Sequence, residues 1–249
     1  MNGYLESLFS LQGKTAIVTG CSRGIGAAIA KGFVAAGATV VGLSRSAHPE
    51  DKDLISIYSQ CDITDSSRFE ALCEATVRRT GHLDVLVNGA GITQHSYVLS
   101  DKYAVFAKTL DVNLVAAYRC ADVAARYMRE GGSIINVTSI GSLQGFPGNP
   151  GYVASKGGLR LLTKALAMDL GEKGIRVNSL VPGYTKTSMT KKSHDNPVMH
   201  QERLSRMILK RWGQVEDLVG AAVFLASNAS SYMTGTDVII DGGWTAKGL

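Results

Sequence analysis

Short apolar runs alternate along this chain with longer stretches in which apolar residues recur at helical spacing. Residues 14–19 form an apolar run typical of a buried parallel strand, and Ile25, Ile29 and Phe33 then follow at roughly helical spacing. By the same criteria, further strands are predicted at residues 39–43, 56–60, 83–87, 133–137, 176–181 and 238–240. This alternation predicts an α/β fold built on a seven-stranded parallel sheet.

Three longer helices are predicted between these strands. The first covers residues 66–80 with Ser66 as its N-cap, because serine side chains satisfy free N–H groups at helix starts. The second covers residues 103–129, as one or two helices that end at Gly131-Gly132, and the third covers residues 152–171.

A glycine-rich turn joins the first strand to the helix that follows it. Its sequence is Gly-Cys-Ser-Arg-Gly-Ile-Gly at residues 20–26, with the spacing Gly-x3-Gly-x-Gly. Glycines let the backbone approach a phosphate, and a helix N-terminus offers free N–H groups and the positive end of its dipole. The turn therefore indicates a dinucleotide site that includes Gly20, Ser22, Arg23, Gly24, Ile25 and Gly26. A tight turn used only for packing is the alternative.

Lys156 lies four positions after Tyr152, in the sequence Tyr-Val-Ala-Ser-Lys. Residues at i and i+4 lie on one face of a helix. An ammonium beside a phenol favours the ionised phenol, so the pKa of Tyr152 is expected to fall from about 10 toward neutrality. A tyrosine of that kind can serve as a general acid or base. The pair alone also occurs by chance in helices.

With both motifs in place, the chain resembles the short-chain dehydrogenase/reductase family over essentially its full length. Asn88-Gly-Ala-Gly91 is similar to the Asn-Asn-Ala-Gly motif of the family, although Gly89 replaces the second asparagine, and this puts local rigidity of the sheet in question. Asn113, Ser139 thirteen residues before Tyr152, and Pro182-Gly183 followed by Thr187 also match in order. The resemblance implies a Rossmann-type, doubly wound fold in which residues 1–249 form a single domain.

The resemblance also implies four catalytic roles. Tyr152 would exchange a proton with the substrate oxygen during hydride transfer, and Lys156 would lower the pKa of Tyr152 and bind the nicotinamide ribose. Ser139 would hold the substrate oxygen. Asn113 would interrupt the regular hydrogen bonding of its helix and hold a water that feeds protons to Lys156.

The end of the second predicted strand favours NADP(H) over NAD(H). NAD sites place a carboxylate there, whereas this chain has Ser44 and Arg45, and Arg45 and Arg23 could both bind a 2′-phosphate. Two solvated arginines are the alternative. Asp62 is expected to bind the adenine amine, or to cap the next segment. Further cofactor contacts are expected from Ile63, Asn88, Ala90, Gly91, Tyr152, Lys156, Pro182, Gly183, Thr185 and Thr187.

The substrate side is less constrained by the sequence. Gln144 and His95 are candidates for contacts with substrate hydroxyls, together with Ser139. The family places a lid where this chain has residues 186–212, and the many basic residues there would favour an anionic substrate unless they form an ordinary solvated face. The residues around Tyr152 and the ending Asp241-Gly-Gly-Trp244-Thr resemble those of dehydrogenases of sugar acids and polyols, such as gluconate 5-dehydrogenases. Alternatives are a 3-oxoacyl-carrier-protein reductase and a cofactor-binding sensor or scaffold without turnover.

Composition narrows the remaining classes. The chain has 249 residues, of which 45% are hydrophobic, and it contains neither a long apolar run nor a secretion signal at residues 1–12. Its four cysteines lack metal-ligand spacing, so we expect reduced thiols in a cytoplasmic protein and no metal site. The net charge of +5 is spread along the chain without a basic stripe, so neither nucleic acid nor membrane is expected as a partner. The resemblance implies a homotetramer that pairs residues 103–129 and 152–171. We expect the sheet to leave apolar residues of these helices uncovered for that contact, among them Leu159, Leu162, Leu166 and Val123.

Overall fold

The structure is a computed structural model that describes residues 3–50, 55–94 and 101–247. Its sheet has the strand order β3-β2-β1-β4-β5-β6-β7, and all neighbouring strands are parallel. The strands are β1 (Thr15–Thr19), β2 (Thr39–Ser44), β3 (Ile57–Gln60), β4 (Leu83–Asn88), β5 (Met128–Val137), β6 (Arg176–Pro182) and β7 (Asp237–Ile240). The helices are α1 (Gly3–Phe9), α2 (Gly24–Ala35), α3 (Ser66–Thr80), α4 (Lys102–Leu110), α5 (Ala116–Tyr127), α6 (Pro150–Gly171), α7 (Lys191–Asp195), α8 (Pro197–Arg206) and α9 (Val219–Ala226).

The helices cover both faces of this sheet. On one face, β1 contributes Ile17 to a core formed with α3, α5 and α6. On the other face, Ala16 and Val18 pack with α2 and α9. Successive residues of a strand point to opposite faces, so a strand with helices on both sides is predominantly apolar. The result is the predicted doubly wound sheet of a single Rossmann-like domain, with its reversal of strand order between β1 and β4.

A buried polar network joins the central strands to α6. Asn88 donates to Oδ1 of Asn136 at 2.9 Å, and Asn136 donates to Oγ1 of Thr163 at 2.9 Å. Ser179 on β6 donates to the same hydroxyl at 3.1 Å. Buried polar groups cost free energy unless they are hydrogen-bonded. The network therefore favours one alignment of β4, β5 and β6 beneath α6.

Two predicted helix boundaries are wrong. The predicted second helix ends at Tyr127, and β5 begins at Met128 and continues through Gly131-Gly132, where a shift of register relative to β4 absorbs the glycines. Asp65, rather than Ser66, caps α3, because the Asp65 carboxylate accepts from the backbone N–H of Arg68 at 3.0 Å.

The residues expected to remain uncovered on the long helices belong to the core instead. Val123, Leu159 and Leu166 are buried, and Leu162 is partly buried against the core cluster that contains Val123 and Leu166. The helices expose other apolar side chains, namely Tyr118, Leu161 and Met168, which are 47%, 64% and 82% exposed. The apolar helix surface exists, but the sequence alone assigned the wrong side of each helix to it.

Within the described ranges, none of the helices has both the length and the apolar character needed to cross a membrane. The same residues contain no cluster of histidine, cysteine, aspartate and glutamate side chains arranged to hold a metal ion.

Candidate functional site

A cleft opens where the carboxyl ends of the central strands meet. Ligands of such sheets bind at this edge, beside the reversal of strand order. The structure brings nearly all of the predicted cofactor residues together here. The cleft is lined by Gly20, Ser22, Arg23, Gly24, Ile25, Gly26, Ser44, Arg45, Asp62, Ile63, Ala90, Gly91, Tyr152, Lys156, Pro182, Gly183, Thr185 and Thr187, together with Ser139.

The glycine turn has the shape that a dinucleotide requires. Gly20 and Gly24 have positive φ angles of 71° and 60°, which residues other than glycine rarely adopt. A Cβ atom on Gly20 would lie 2.6 Å from the Cα of Ala90, so the turn packs directly against the loop after β4. The N-terminus of α2 has no side-chain cap, which leaves its N–H groups available to a phosphate in the cleft.

Asn88 was expected to contact the cofactor, but its side chain points into the core. It donates to Asn136 and to the carbonyl of Ala117, and it does not line the cleft. Gly89 lines the cleft in its place, and the hydroxyl of Thr19 accepts from the backbone N–H groups of Gly89 and Ala90 at 3.0 and 3.1 Å. A Cβ atom on Gly89 would lie 2.7 Å from the carbonyl oxygen of Thr19. The glycine departure from the family motif therefore fits a turn that Thr19 holds.

Helix α6 carries both Tyr152 and Lys156, one turn apart. The ammonium of Lys156 donates to the carbonyl of Val137 at 2.7 Å and lies 5.9 Å from the centre of the Tyr152 ring. Desolvation in this buried position lowers the pKa of Lys156 to about 8.

Desolvation also raises the pKa of Tyr152 above its ordinary value, against the smaller lowering caused by a hydrogen bond with Ser139. The prediction that Lys156 brings the pKa of Tyr152 toward neutrality is therefore wrong for this structure. The ammonium is directed to the carbonyl of Val137, and burial of the phenol outweighs the stabilisation of its ionised form.

Ser139 lines the same cleft as Tyr152. Its hydroxyl accepts from the N–H of Gly141 at 3.0 Å, where it begins a short 3-10 turn after β5, and it also hydrogen-bonds with Tyr152. Two hydroxyl groups thus converge on one wall of the cleft. A carbonyl or alcohol oxygen bound there would lie beside both hydroxyl groups, and the roles predicted for Ser139 and Tyr152 stay predictions.

Asn113 lies behind this wall rather than on it. It sits in a π-helical segment, Asp111–Val115, which confirms that regular hydrogen bonding is interrupted at this residue. Its side chain accepts from the N–H of Ile92 at 2.8 Å and donates to the carbonyl of Ile92 at 2.9 Å and to Ser155 at 3.1 Å. Asn113 therefore fixes the loop after β4 against α6. The water expected at this residue stays a prediction.

One end of the cleft carries two exposed arginines. Arg23 and Arg45 both line it, and neither side chain forms an ion pair within the described part of the chain. Asp62 lies nearby and accepts from the backbone N–H and the hydroxyl of Thr64 at 3.0 and 2.9 Å, and these hydrogen bonds lower the pKa of its carboxyl group. The two arginines and the aspartate predicted from the sequence thus line the same cleft.

The structure agrees less well with the predicted substrate contacts than with the predicted cofactor contacts. Gln144 does not line the cleft, because its carbonyl oxygen accepts from the indole N–H of Trp244 at 2.8 Å. His95 lies outside the described residues. Met189 and Thr190 line the cleft in the segment expected to form a lid. The cleft also includes Ile92, Thr138 and Ser188, which the motifs do not mark because they reach it only through the fold.

The segment 186–212 folds as two short helices with an aromatic anchor. The helices α7 and α8 are separated at Asn196, whose side chain caps α8 by accepting from the N–H of Met199 at 3.0 Å. Trp212 is buried, and its ring contacts the rings of Tyr184 and His194 at 5.5 and 5.1 Å between centres. The end of the segment at Trp212 is therefore packed against α7 and Tyr184. Its movement stays a prediction.

Comparison with known proteins gives consistent relatives. A family model described as "Enoyl-(Acyl carrier protein) reductase" matches residues 20–245. The chain is 38% identical to the 2-dehydro-3-deoxy-D-gluconate 5-dehydrogenase of Bacillus subtilis strain 168, over 98% of this chain and 100% of that protein. It is also 38% identical to a 3-oxoacyl-(acyl-carrier-protein) reductase of Chlamydia muridarum, over 94% of this chain and 98% of that protein. The crystal structure of a gluconate 5-dehydrogenase from Burkholderia cenocepacia, in complex with NADP and tartrate, aligns with a TM-score of 0.91 and 32% identity, over 98% of this chain and 99% of that one.

Proposed function

Since the chain belongs to the short-chain dehydrogenase/reductase family and is an oxidoreductase of CH–OH groups, we propose that it interconverts a ketone and a secondary alcohol with NADP(H). A sugar acid, a polyol or a related polar carbonyl compound is the proposed substrate. The observation that carries this proposal is the position of Tyr152, Ser139 and Lys156 on one wall of the cleft whose floor is the glycine turn.

The side chains of the cleft define the acid–base part of the reaction. When bound, NADP(H) supplies or accepts the hydride at the substrate carbon. Tyr152 donates its phenolic proton to the carbonyl oxygen during reduction and takes it back during oxidation. Because desolvation raises its pKa, the phenol is protonated at neutral pH and is ready to donate. The hydroxyl of Ser139 donates to the same oxygen and stabilises its developing negative charge.

Lys156 contributes a positive charge behind the phenol. Its ammonium is protonated below a pKa of about 8, and the positive charge stabilises the phenolate that remains after Tyr152 has given up its proton. The low value of this pKa also means that deprotonation of Lys156 falls within an accessible alkaline range. We expect the catalytic rate for reduction to decline as the pH rises through about 8.

The preference for NADP(H) rests on the two arginines beside the end of β2. Residues 44–46 are Ser-Arg-Ser, so this turn contains no carboxylate that would repel a 2′-phosphate. A charge-assisted contact between Arg45 and that phosphate contributes about ten- to hundredfold in affinity. Fluorescence titration should therefore give a lower dissociation constant for NADPH than for NADH, and Arg45→Asp should reverse the order. The matched control is Arg79→Asp, which makes the same charge change at an exposed position of α3 outside the cleft. Equal or tighter binding of NADH by the unaltered protein contradicts the preference.

The proposed substrate class rests on charge and on the named relatives. The segment beside the cleft carries Lys186, Lys191 and Lys192 before α8, and its positive potential favours a carboxylate-bearing substrate. One relative named above acts on a dehydro-deoxy-gluconate by its name, and one aligned structure was solved with tartrate.

A panel assay separates the substrate candidates. We would measure kcat/KM with NADP(H) for keto-sugar acids, for the corresponding uncharged polyols and ketoses, and for a 3-oxoacyl thioester. The highest value is expected for the sugar acids. The second candidate, a 3-oxoacyl-carrier-protein reductase, is favoured by the 38% identity to such an enzyme and predicts the highest value for the thioester. Binding of NADPH without turnover on any member would instead indicate a cofactor sensor.

We also infer a cytoplasmic location. All four cysteines are free and buried, as expected for a protein of a reducing compartment. Fractionation of cells that produce the protein, followed by immunoblotting, tests this inference.

A further inference from the structure

The turn that carries Arg45 is held by side chains from the neighbouring strand β3. The hydroxyl of Tyr58 donates to the carbonyl oxygen of Ser46 at 2.8 Å and lies 2.6 Å from the hydroxyl of Ser44. The amide of Gln60 donates to the carbonyl of Arg45 at 3.0 Å. In the sheet, Gly42 pairs with Tyr58 and Ser44 pairs with Gln60, so both side chains are delivered by the β2–β3 register.

The donor and the acceptor of each of these hydrogen bonds can be assigned, because each hydroxyl has a single proton. The single proton of Tyr58 is given to the carbonyl of Ser46, which can only accept, so the proton between Tyr58 and Ser44 comes from Ser44. The hydroxyl of Ser44 also accepts from the N–H of Ser46 at 3.1 Å. Tyr58 thus joins the residue before Arg45 to the residue after it.

Arg45 itself is exposed at the cleft, and within the described residues only its backbone is tied, by Gln60. A guanidinium on a flexible side chain binds a phosphate well only if its backbone is fixed, because otherwise binding must also order the turn. We propose that Tyr58 is a positioning residue that directs Arg45 toward the 2′-phosphate of NADP(H) and so sets the preference over NAD(H). This inference rests on the cofactor preference proposed above.

The chemistry of Tyr58 allows its hydroxyl to be tested separately from its ring. The ring packs against the core cluster that contains Ile29 and Phe33, and Tyr58→Phe keeps this packing. The variant removes only the bridge between Ser44 and Ser46. As a matched control, Tyr232→Phe removes a hydroxyl from a fully exposed tyrosine for which the described part of the chain offers no hydrogen-bond partner.

The experiment is a double-mutant cycle on cofactor affinity. Dissociation constants for NADPH and NADH would be measured by fluorescence titration for the unaltered protein, for Tyr58→Phe, for Arg45→Ala and for the double variant. We expect Tyr58→Phe to lower the ratio of NADPH affinity to NADH affinity about three- to tenfold, as for the loss of one or two hydrogen bonds. Its effect on NADH alone should stay within about twofold, because NADH lacks the phosphate that Arg45 would bind. In the Arg45→Ala background, the same substitution should leave the ratio unchanged.

Each outcome separates this inference from the cofactor preference on which it rests. If the unaltered protein does not prefer NADPH, the proposed preference fails and the role of Tyr58 fails with it. If the preference exists and depends on Arg45, but Tyr58→Phe shows the same affinity ratio as the unaltered protein, the positioning role is overturned. A reduced ratio in the Tyr232→Phe control also overturns it, because loss of a hydroxyl far from Arg45 would then have the same effect. An equal loss of the ratio with and without Arg45 also overturns it, because Tyr58 would then act on the cleft as a whole. Thermal unfolding of each variant would be recorded to show that it is folded.

Discussion

Replacement of Lys156 by methionine should stabilise the protein at neutral pH while it removes activity. Methionine is similar in length to lysine and fills much of the same buried space, but it lacks the charged ammonium group that burial disfavours. The charged form of Lys156 is disfavoured by desolvation, which is the cause of its lowered pKa. The active site thus contains a group whose folded environment opposes the charge that the proposed reaction uses.

The magnitude follows from the pKa. A shift from 10.5 to about 8 corresponds to about 3 kcal/mol of destabilisation at pH 7, below both values, where the penalty is fully present. The variant leaves the carbonyl of Val137 without its donor, which costs about 1–2 kcal/mol. The net gain in the free energy of unfolding at pH 7 is therefore about 1–2 kcal/mol.

The dependence on pH is the sharper test, because the cost of the unpaired carbonyl cancels from it. Between the folded value of about 8 and the unfolded value of 10.5, the unfolded chain holds more protons, so the stability of the unaltered protein rises with pH relative to the variant. This relative change amounts to about 2.5 kcal/mol between pH 7 and pH 10.

Urea unfolding followed by circular dichroism, at one fixed protomer concentration, would measure both proteins at each pH. The matched control is Lys164→Met, which removes an exposed lysine of the same helix that also donates to a backbone carbonyl, that of Gly235 at 3.0 Å. The control should change the free energy of unfolding by less than about 0.5 kcal/mol. A stability difference between Lys156→Met and the unaltered protein that stays constant from pH 7 to pH 10 would refute the reasoning.

Three further predictions concern catalysis, assembly and motion. Tyr152→Phe should lower kcat by about a hundredfold or more, because the proton donor is lost, while titration shows NADPH still bound; unaltered turnover would remove Tyr152 from its role. Light scattering at micromolar protein should give a tetramer that Leu161→Glu combined with Met168→Glu weakens, because both side chains are exposed and apolar; a monomer mass for the unaltered protein contradicts this. Hydrogen exchange in residues 186–212 should slow when NADP and a substrate analogue bind, and strong protection that ligands do not change would exclude a mobile lid.

The local features of this protein follow from its sequence. The alternation of apolar runs with helical periodicity predicts the parallel sheet, because strand and helix periods depend on neighbouring residues alone. The glycine turn and the Tyr152–Lys156 spacing are equally local, so the sequence places them at the ends of β1 and within α6. The interruption at Asn113 came from the resemblance to a family rather than from any local pattern, and the structure confirms it.

Side-chain direction and desolvation depend on contacts between distant residues. The side chain of Asn88 turns into the core because Asn136, 48 residues later, is its hydrogen-bond partner. The pKa of Tyr152 rises and the pKa of Lys156 falls because the packed fold removes water from both groups. The spacing alone predicted instead that the ammonium lowers the pKa of the phenol. The bridge from Tyr58 to Ser44 and Ser46 likewise exists only because β3 pairs with β2 in one register. The sequence by itself thus determined most of the chemical groups that reach the cleft, whereas the tertiary structure excluded Asn88 and Gln144 and decided the orientation and charge of the others, because these depend on the neighbours that folding supplies.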